Sequence, residues 1–446
     1  MPNKPGNTVG RREFLGGAAA AGFMIVKPQS VRGTTANSTI RLGLLGCGRR
    51  GTGVATSFAT NTAARVVALA DLFQDQLDAA KKHFDEVAVH QGYAGVDPTL
   101  MFRGPHAFHE IANSKEVDMV QISTPDFFHP EHLDAVVSAG KHAYCEKPVA
   151  VDVTGAKRIL ESGRKADGRL SLDVGFQIRS APPYVELIRR IHSGAIGRIA
   201  CGAAYYHATH INYPPRNPNA SPLELRIRNF FWDRVLSGDT IVDQTIHVID
   251  ICNWALKAHP LKAVASGGRN LVNSDWGNTW DHFGMVFTYP DDVHVSINQF
   301  AGGDAVWDVS ERFFGTKGVA EAHYSGVVGI YGDEPWEWEG STSPCSTQPG
   351  HANIYAVSKA GTAQKTGGDF LDALQFADAQ KDKAFIESIV TGKYHNQAAK
   401  GVESALSAQL GRMAAYTGRP VTWDELLASN QTYDAEIEGI DLSEFA

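Results

Sequence analysis

Two short stretches of the chain carry side chains whose types and spacing suit the chemistry of alcohols. Glu146 and Lys147 stand side by side after a short apolar run, and a proline follows them at once. Asp243, His247 and Asp250 recur at intervals that put all three on one face of a helix. A lysine ammonium can stabilise an alkoxide, and a histidine beside a carboxylate can act as an oriented general base. The two stretches therefore predict catalysis by proton transfer and charge stabilisation.

Each stretch also has a structural interpretation. The charged pair could simply end a strand, and the three titratable groups could form a hydrogen-bond network in the core. A metal site is a weaker alternative, because the spacing differs from that of HExxH, and His207 and His210 form only a pair. The five cysteines are scattered without a CxxC pair, so we predict neither a metal site nor a disulfide framework.

A glycine-rich turn predicts the cofactor. Gly46, Gly48 and Gly51 form the sequence GCGRRG between an apolar run and a helical segment. In a dinucleotide-binding turn the first glycine allows a tight bend, the second lets the backbone approach the pyrophosphate, and the third lets helix and strand pack closely. Asp71 ends the next apolar run, where a carboxylate binds the ribose 2′-hydroxyl and repels a 2′-phosphate. This pattern favours NAD over NADP.

Other residues around this turn are candidates for contact with the cofactor. Two arginines follow the glycines, and they could either bind phosphate or face the solvent. A Thr-Pro pair ends a later strand, and a histidine close behind it could bind the cofactor or cap a helix. The candidates are Arg49, Arg50, Ser123, Thr124, Pro125, His129, Glu146 and Lys147.

The elements that would position these residues alternate in type along the first part of the chain. From residue 39 to residue 165, apolar runs alternate with helical segments, which predicts an α/β dinucleotide-binding (Rossmann) domain with a parallel sheet. Longer runs with period-two character follow, so residues 166–446 are predicted to form an α+β substrate-binding domain with a large, mostly antiparallel open sheet. The chain ends in helices that could pack back on the first domain.

The composition, with 446 residues of which 43% are hydrophobic and 20% charged, is that of a soluble globular protein. A net charge of −8 argues against a nucleic-acid partner. Residues 1–38 differ from the rest, because Arg11 and Arg12 precede an apolar run too short to span a membrane. This segment resembles a twin-arginine export signal with a linker, which predicts a periplasmic or otherwise exported protein without a stable membrane anchor. A helical tail is the alternative.

Taken in order, the motifs GCGRRG, TPDFFH, AGKHAYCEKP and DQTIHVID resemble those of the Gfo/Idh/MocA oxidoreductases, the family of glucose–fructose oxidoreductase and inositol dehydrogenase. The resemblance spans residue 39 to the chain end, and EKP is its most specific motif. It implies that Lys147 lies between nicotinamide and substrate with Glu146 holding it, and that Asp243 and His247 bind substrate and act as the base. It also implies a homo-oligomer formed through the open sheet. Gln244 departs from the small residue found there in some members.

The resemblance implies NAD-dependent oxidation of a secondary alcohol in a sugar, glycoside or polyol. Because an exported enzyme has no obvious supply of free NAD, we expect a tightly bound cofactor. Redox-neutral glycoside cleavage through a transient keto-sugar is one alternative, and a non-catalytic exported carbohydrate-binding protein is another. Aromatic side chains would suit the apolar face of a sugar ring. The residues predicted to contact the substrate are Gln177, Tyr205, Tyr206, His210, Trp232 and Arg234.

Overall fold

Six short parallel strands form the first of two sheets, in the spatial order β3-β2-β1-β4-β5-β6. The computed structural model describes residues 39–208, 220–271, 277–302, 308–324, 327–339 and 363–437, with the backbone alone for 363–376. The strands are β1 (Ile40–Leu45), β2 (Ala64–Asp71), β3 (Met101–Arg103), β4 (Met119–Ile122), β5 (His142–Cys145) and β6 (Leu172–Val174). The helices between them are α1 (Arg49–Asn61), α2 (Gln74–His90), α3 (Ala107–Asn113), α4 (His129–Ser138) and α5 (Val153–Ala166).

The strands of this sheet are apolar because both of its faces are covered. Leu42 and Leu44 of β1 and Val120 and Ile122 of β4 are completely buried. The order of the strands reverses between β1 and β4, which are neighbours in space but not in sequence. In such sheets ligands bind outside the carboxyl ends of the strands at this reversal. Because β6 lies beyond residue 165, the parallel sheet extends past the boundary drawn from the sequence.

Nine strands form the second sheet, in the order β14-β13-β12-β11-β7-β10-β9-β8-β15. These strands are β7 (Ile199–Ala208), β8 (Lys262–Gly268), β9 (His282–Tyr289), β10 (Val293–Ala301), β11 (Asp308–Gly315), β12 (Gly318–His323), β13 (Val328–Gly332), β14 (Trp336–Glu337) and β15 (Val421–Thr422). Neighbouring strands are antiparallel except β7 and β10. Along β10, Val293, Val295 and Ile297 are buried whereas His294 and Ser296 are exposed. One face of the sheet is therefore packed and the other is open.

Helices that follow the first sheet in sequence pack on both sheets. They are α6 (Pro182–His192), α7 (Pro222–Arg228), α8 (Arg234–Ser237), α9 (Ile246–Leu256), α10 (Ala363–Thr391), α11 (Ala398–Thr417) and α12 (Trp423–Ser429). In α10 the ring of Phe385 lies 6.0 Å from that of Phe58 in α1 and 6.4 Å from that of Tyr144 in β5, between centroids. Helix α11 contacts β8 of the second sheet. The predicted fold class is thus confirmed.

The described part of the chain contains no helix that is both long enough and apolar enough to cross a bilayer.

Candidate active site

The glycine-rich turn after β1 has the geometry of a phosphate cradle. Gly46 has a φ of +93°, which favours glycine, and a Cβ there would lie 2.5 Å from the Ser123 carbonyl oxygen. A Cβ on Gly51 would lie 2.0 Å from the Gly46 carbonyl oxygen. A Cβ on Gly48, in contrast, would meet no atom within 4 Å, so the space at this position is open. No side chain caps the N-terminus of α1, whose first amide groups are therefore available to a pyrophosphate.

Asp71, at the end of β2, holds this turn in place. One of its carboxylate oxygens accepts a hydrogen bond from the Cys47 amide at 2.6 Å, and the other accepts one from the Phe73 amide at 2.9 Å. Burial raises the pKa of Asp71, and these hydrogen bonds act against the rise. Because a carboxylate can accept about four hydrogen bonds, Asp71 keeps positions for ribose hydroxyl groups. The residues around the turn therefore fit a dinucleotide cofactor.

Arg50 is bound to side chains near the end of β5. Its Nε donates to Glu146 Oε1 at 2.9 Å, its Nη1 to Asp378 at 3.3 Å and its Nη2 to the Gln177 side chain at 3.2 Å. The guanidinium is thus held by protein acceptors although its side chain is 43% exposed, and its contact with phosphate stays a prediction. Arg49, in contrast, is exposed. The same contacts bring Gln177 to the edge of the site.

Glu146 is 4% exposed and is held in its ionised form. Burial raises its pKa, but the positive charges of Arg50, Lys381 and Lys147 outweigh burial and lower the pKa overall. The Tyr144 hydroxyl donates to Glu146 Oε1 at 3.0 Å, and the Lys147 amide donates to Oε2 at 3.2 Å. Glu146 thus fixes the backbone from which the lysine side chain projects.

Lys147 connects the first sheet to the segment before α9. Its Nζ donates to the main-chain carbonyl of Asp243 at 2.7 Å and lies 3.5 Å from Asp243 Oδ1, with both side chains 15% exposed. Asp243 belongs to a π-helical turn, Ile241–Thr245, and such turns are frequent at functional sites. Because an ammonium has three N–H donors, Lys147 keeps one for a substrate oxygen.

His247, one turn after Asp243, lies in surroundings that disfavour its charged form. Burial lowers its pKa well below 6.5, and the charges of Lys147 and Arg50 lower it further. Its Nδ1 is buried and has no hydrogen-bond partner among the described residues, and its ring stacks on that of Tyr206 with centroids 6.1 Å apart. The expectation that Asp243 orients this ring is not met, because Asp243 contacts Lys147 instead and its π-helical turn alters the α-helical spacing.

Asp250, the third member of the predicted stripe, belongs to the core. Arg179 donates two hydrogen bonds to its carboxylate, at 2.8 and 2.9 Å, and the Ser404 hydroxyl donates one at 2.7 Å. Asp250 is 1% exposed. The structural interpretation therefore holds for Asp250, while Asp243 and His247 remain at the site.

His129 links two loops of the site from inside the protein. It is completely buried, with Nδ1 2.7 Å from the Pro148 carbonyl oxygen and Nε2 2.8 Å from the Thr124 carbonyl oxygen. Burial lowers its pKa, although both hydrogen bonds favour the charged ring. With both nitrogens committed to the backbone, His129 positions the loops after β4 and β5. This corrects the prediction that it contacts the cofactor.

The loop after β4 also lies directly against the glycine-rich turn. Gln121, which is completely buried, donates from Nε2 to the Ser123 hydroxyl at 3.0 Å and to the Gly51 carbonyl at 2.9 Å. The Thr124 hydroxyl lies 2.9 Å from Nδ1 of His132. Ser123 and Thr124 therefore lie beside the glycine-rich turn, and their contact with the cofactor stays a prediction. Gln121 is a positioning residue that the sequence prediction lacks.

Two tyrosines predicted to contact the substrate lie on opposite faces of the second sheet. Tyr206 faces His247 on the packed side. Its neighbour Tyr205 is 36% exposed on the open side, because side chains alternate between faces along a strand. Tyr205 therefore does not belong to the site, and Tyr206 does.

The remaining substrate candidates have different surroundings, and one of them lies outside the described residues. Trp232 is 2% exposed, so it offers no ring face to a sugar. The Arg234 guanidinium lies 4.9 Å from the ring centroid of Tyr416, a residue of α11. His210 lies outside the described residues. His207 is bonded to Asn298 at 2.8 Å, and the described residues hold no group of three or more His, Cys, Asp or Glu side chains suited to a metal ion.

Two buried charged residues of the site are absent from the sequence prediction. Asp126 is 4% exposed, and burial and then the charge of Asp243 raise its pKa well above the usual value. Lys381 is 3% exposed, with Nζ 4.2 Å from the Tyr144 ring centroid and 2.6 Å from Asp382. Asp126 stands within the TPDFFH motif, so a signal for it existed. Lys381 comes from α10, where no motif marks it.

Two family models match the chain in succession. Residues 40–174 match the model described as an oxidoreductase family with an NAD-binding Rossmann fold, and residues 184–321 match the GFO/IDH/MocA C-terminal domain. Inositol 2-dehydrogenase of Rhizobium meliloti (strain 1021) is 27% identical over 360 residues, which cover 76% of this chain and 96% of that protein.

Solved structures share the fold. Aldose-aldose oxidoreductase from Caulobacter crescentus, complexed with glycerol, has a TM-score of 0.64 at 20% identity over 86% of this chain and 99% of that chain. Scyllo-inositol dehydrogenase from Lactobacillus casei, with bound NAD(H) and scyllo-inositol, has a TM-score of 0.62 at 20% identity with the same coverage. The two matched models together span more than half of the sequence, and the glycine-rich turn fits the cofactor that the first of them names. The chain is therefore an NAD-dependent oxidoreductase of the Gfo/Idh/MocA family.

Proposed function

We propose that the protein oxidises a secondary alcohol of a cyclic polyol or a sugar. The observation that carries the proposal is that His247 and the Lys147 ammonium lie near one another at the carboxyl edge of the first sheet, where burial and the charge of Lys147 lower the pKa of His247. A base and a cation together meet the two needs of alcohol oxidation, which are removal of the hydroxyl proton and stabilisation of the oxygen. Similarity to an inositol 2-dehydrogenase supports a polyol as the substrate class.

Different residues of the chain have different roles in this reaction. NAD, when bound, supplies the acceptor for a hydride from the carbon that bears the hydroxyl group. Lys147 donates its third N–H to the substrate oxygen and stabilises the negative charge that develops there. His247 takes the hydroxyl proton at its unpartnered Nδ1. Because Glu146 and Asp243 already hold the lysine backbone and ammonium, the donor is in place before the substrate arrives.

Buried polar atoms around His247 favour a substrate with several hydroxyl groups. Both amide atoms of the Gln299 side chain and Oε1 of Gln244 are buried without a hydrogen-bond partner among the described residues. Gln299 pairs with Tyr206 across β10 and β7, so both side chains lie on the face that His247 stacks against. Buried polar groups are normally bonded, and a hydroxyl-rich ring would satisfy these.

A substrate screen with purified protein tests the proposal. We expect NADH to form with at least one cyclic polyol, such as myo-inositol or scyllo-inositol, and Lys147→Ala to abolish this reaction. Lys157→Ala is the matched control, because Lys157 bonds to Asn430 on the protein surface and should leave the rate unchanged. Failure of every polyol and sugar to form NADH would contradict the proposal. Release of an aglycone without net NADH would instead indicate redox-neutral glycoside cleavage.

We also propose that the enzyme is exported and keeps its cofactor bound. Residues 1–38 lie outside the described residues, so the support is the Arg11-Arg12 pair before an apolar run.

Assembly through the open face of the second sheet is a further proposal, supported by Val264 and Val286, which are 47% and 38% exposed there. Size measurement in solution tests this assembly.

A further inference from the structure

Residues 221–237 lie against two loops of the first sheet. This segment, here called the strap, contains α7, α8 and the short turn between them. Its Ile227 and Leu236 are buried in a hydrophobic cluster with Phe73, which follows β2. The same cluster includes Phe128, which lies in the loop after β4, and α8 contacts that loop. The strap therefore joins the loop after β2 to the loop after β4.

These two loops flank the site that fits the cofactor. In the sheet, β1 lies between β2 and β4, and the glycine-rich turn follows β1. In this fold a dinucleotide places a ribose at the acid that ends β2 and its pyrophosphate at the glycine-rich turn. A segment that joins the two flanks can therefore hold them in place around a bound dinucleotide.

Arg228, the last residue of α7, fastens the strap to the loop after β2. Its Nη2 and Nη1 donate to the two carboxylate oxygens of Asp75 at 2.9 and 3.1 Å. Its guanidinium carbon lies 3.8 Å from the centre of the Phe73 ring. Its Nε donates to Glu224, which is 2% exposed, at 2.6 Å. One planar guanidinium thus makes an ion pair with each of two carboxylates and packs on an aromatic ring.

Phe73 connects Arg228 to the acid that is predicted to bind the ribose. The Phe73 amide donates to Asp71 at 2.9 Å, while the ring of the same residue lies under Arg228. Asp71 ends β2, and Asp75 lies in the first turn of α2. Movement of the strap away from this loop would free the Phe73 ring, and the amide that orients Asp71 would move with it.

The strap is also supported from within and from another part of the chain. Asp233 accepts hydrogen bonds from the Val235 and Leu236 amides at 2.8 and 3.0 Å, and one from Arg226 Nε at 2.6 Å. Arg226 also donates to the carbonyl of Ala435, a residue that follows α12. The strap therefore has support that does not depend on Arg228.

We propose that the strap slows the departure of the bound dinucleotide, and that Arg228 is the positioning residue that fastens it to the loop of Asp71. The role of the strap in cofactor retention rests on the proposed function. While the pair of Arg228 and Asp75 is closed, Phe73 and Asp71 stay in place. When the pair opens, the loop after β2 can move, and the ribose loses its acceptor. The rate of cofactor release should therefore follow the opening of this pair.

Exchange of bound NADH for NAD measures this rate without any substrate. Protein saturated with NADH is mixed with an excess of NAD, and the fluorescence of bound NADH is followed as it falls. Arg228→Ala should release NADH about tenfold faster than the wild type, because it loses charge-assisted hydrogen bonds and the packing on Phe73. Arg164→Ala is the matched control and should leave the rate unchanged, because Arg164 is 74% exposed on α5 and pairs with Glu161 at 2.6 Å.

Asp75→Asn keeps the test decisive if Arg228→Ala does not fold, because the Asp75 side chain is 57% exposed and its loss leaves the bond of Arg228 to Glu224 intact. It should release NADH about threefold faster, and added salt should speed release more from the wild type than from this variant. A lower melting temperature with unchanged release rates would overturn the proposal. Rapid release from the wild type, with still faster release from both variants, would refute cofactor retention alone and support the strap.

Discussion

The base and the cation of the site support each other through charge. Burial lowers the pKa of His247 most, and the Lys147 ammonium lowers it further. A base that stays unprotonated in mildly acidic solution can accept a proton over a wide pH range. In the proposed mechanism, the cation that stabilises the substrate oxygen thus also keeps the neighbouring base unprotonated.

The acid limb of kcat/KM should reflect this neutral base. A histidine is lost as a base when the pH falls through its pKa, so a lowered pKa places the limb below pH 6.5. His247→Ala should lower kcat about 10²–10⁴-fold and lack this limb, while NAD remains bound. His294→Ala, at a half-exposed position of β10, is the control. Initial rates across pH measure both effects, and an acid limb at or above pH 6.5 would contradict the assignment.

At the scale of single elements, the turn between β1 and α1 allows a matched comparison of two glycines. Gly51→Ala should damage the turn, because its Cβ would lie 2.0 Å from the Gly46 carbonyl oxygen. We expect a loss of about 1–3 kcal/mol in stability and weaker NAD binding. Gly53→Ala adds a Cβ that meets no atom within 4 Å in the same helix, so it should stabilise by about 0.5–1 kcal/mol. Calorimetry measures both, and equal NAD affinities would show that close packing of this turn is unimportant.

Strand β11 carries a buried acid that should make the stability of the protein depend on pH. Glu311 is 1% exposed and accepts a hydrogen bond from the Tyr184 hydroxyl at 3.2 Å. Burial raises its pKa from 4.5 to about 8. Between these values the folded protein holds a proton that the unfolded chain has released. The free energy of unfolding therefore falls as the pH rises, by about 1.4 kcal/mol per pH unit for this group.

Glu311→Gln should remove this share of the pH dependence, because an amide stays neutral. Urea unfolding at several pH values between 4.5 and 8 should show a smaller decline for the variant than for the wild type. Glu116→Gln serves as the control, since the Glu116 side chain is 60% exposed. Parallel curves for the wild type and Glu311→Gln would mean that Glu311 is already ionised in the folded protein.

At the scale of the whole molecule, the site is assembled from distant parts of the chain. The loops after β1, β4 and β5 form one side, the π-helical turn before α9 forms another, and α10 supplies Lys381. The local signals predicted their parts correctly, because glycine spacing and strand–helix alternation act within short segments. The burial of Asp126 and the contact of Lys381 with Tyr144 depend on residues far apart in sequence. The burial of Trp232 and the π-helical placement of Asp243 likewise follow from packing, so no local pattern revealed them.

Export and cofactor retention together make a prediction for the whole enzyme. If the protein crosses the membrane already folded, its NAD must travel with it. We therefore expect NAD to copurify at about one per chain, to survive dialysis, to be reduced in place by the polyol, and to be reoxidised when a second sugar accepts the hydride. The absorbance of NADH and a nucleotide assay on denatured protein measure this. Apoprotein after buffer exchange, with activity strictly dependent on added NAD, would contradict retention and leave an ordinary dehydrogenase.

The position of Lys381 beside Tyr144 of β5 determines when the site can be completed during synthesis of the polypeptide. Glu146 leaves the ribosome long before Lys381, yet Lys381 is one of the charges that keep Glu146 ionised, and its Nζ lies 4.2 Å from the Tyr144 ring. A nascent chain that ends after the first sheet therefore has the glycine-rich turn, but it lacks the Lys381 charge near Glu146. The group of charges around Glu146 is thus complete only after α10 has been synthesised.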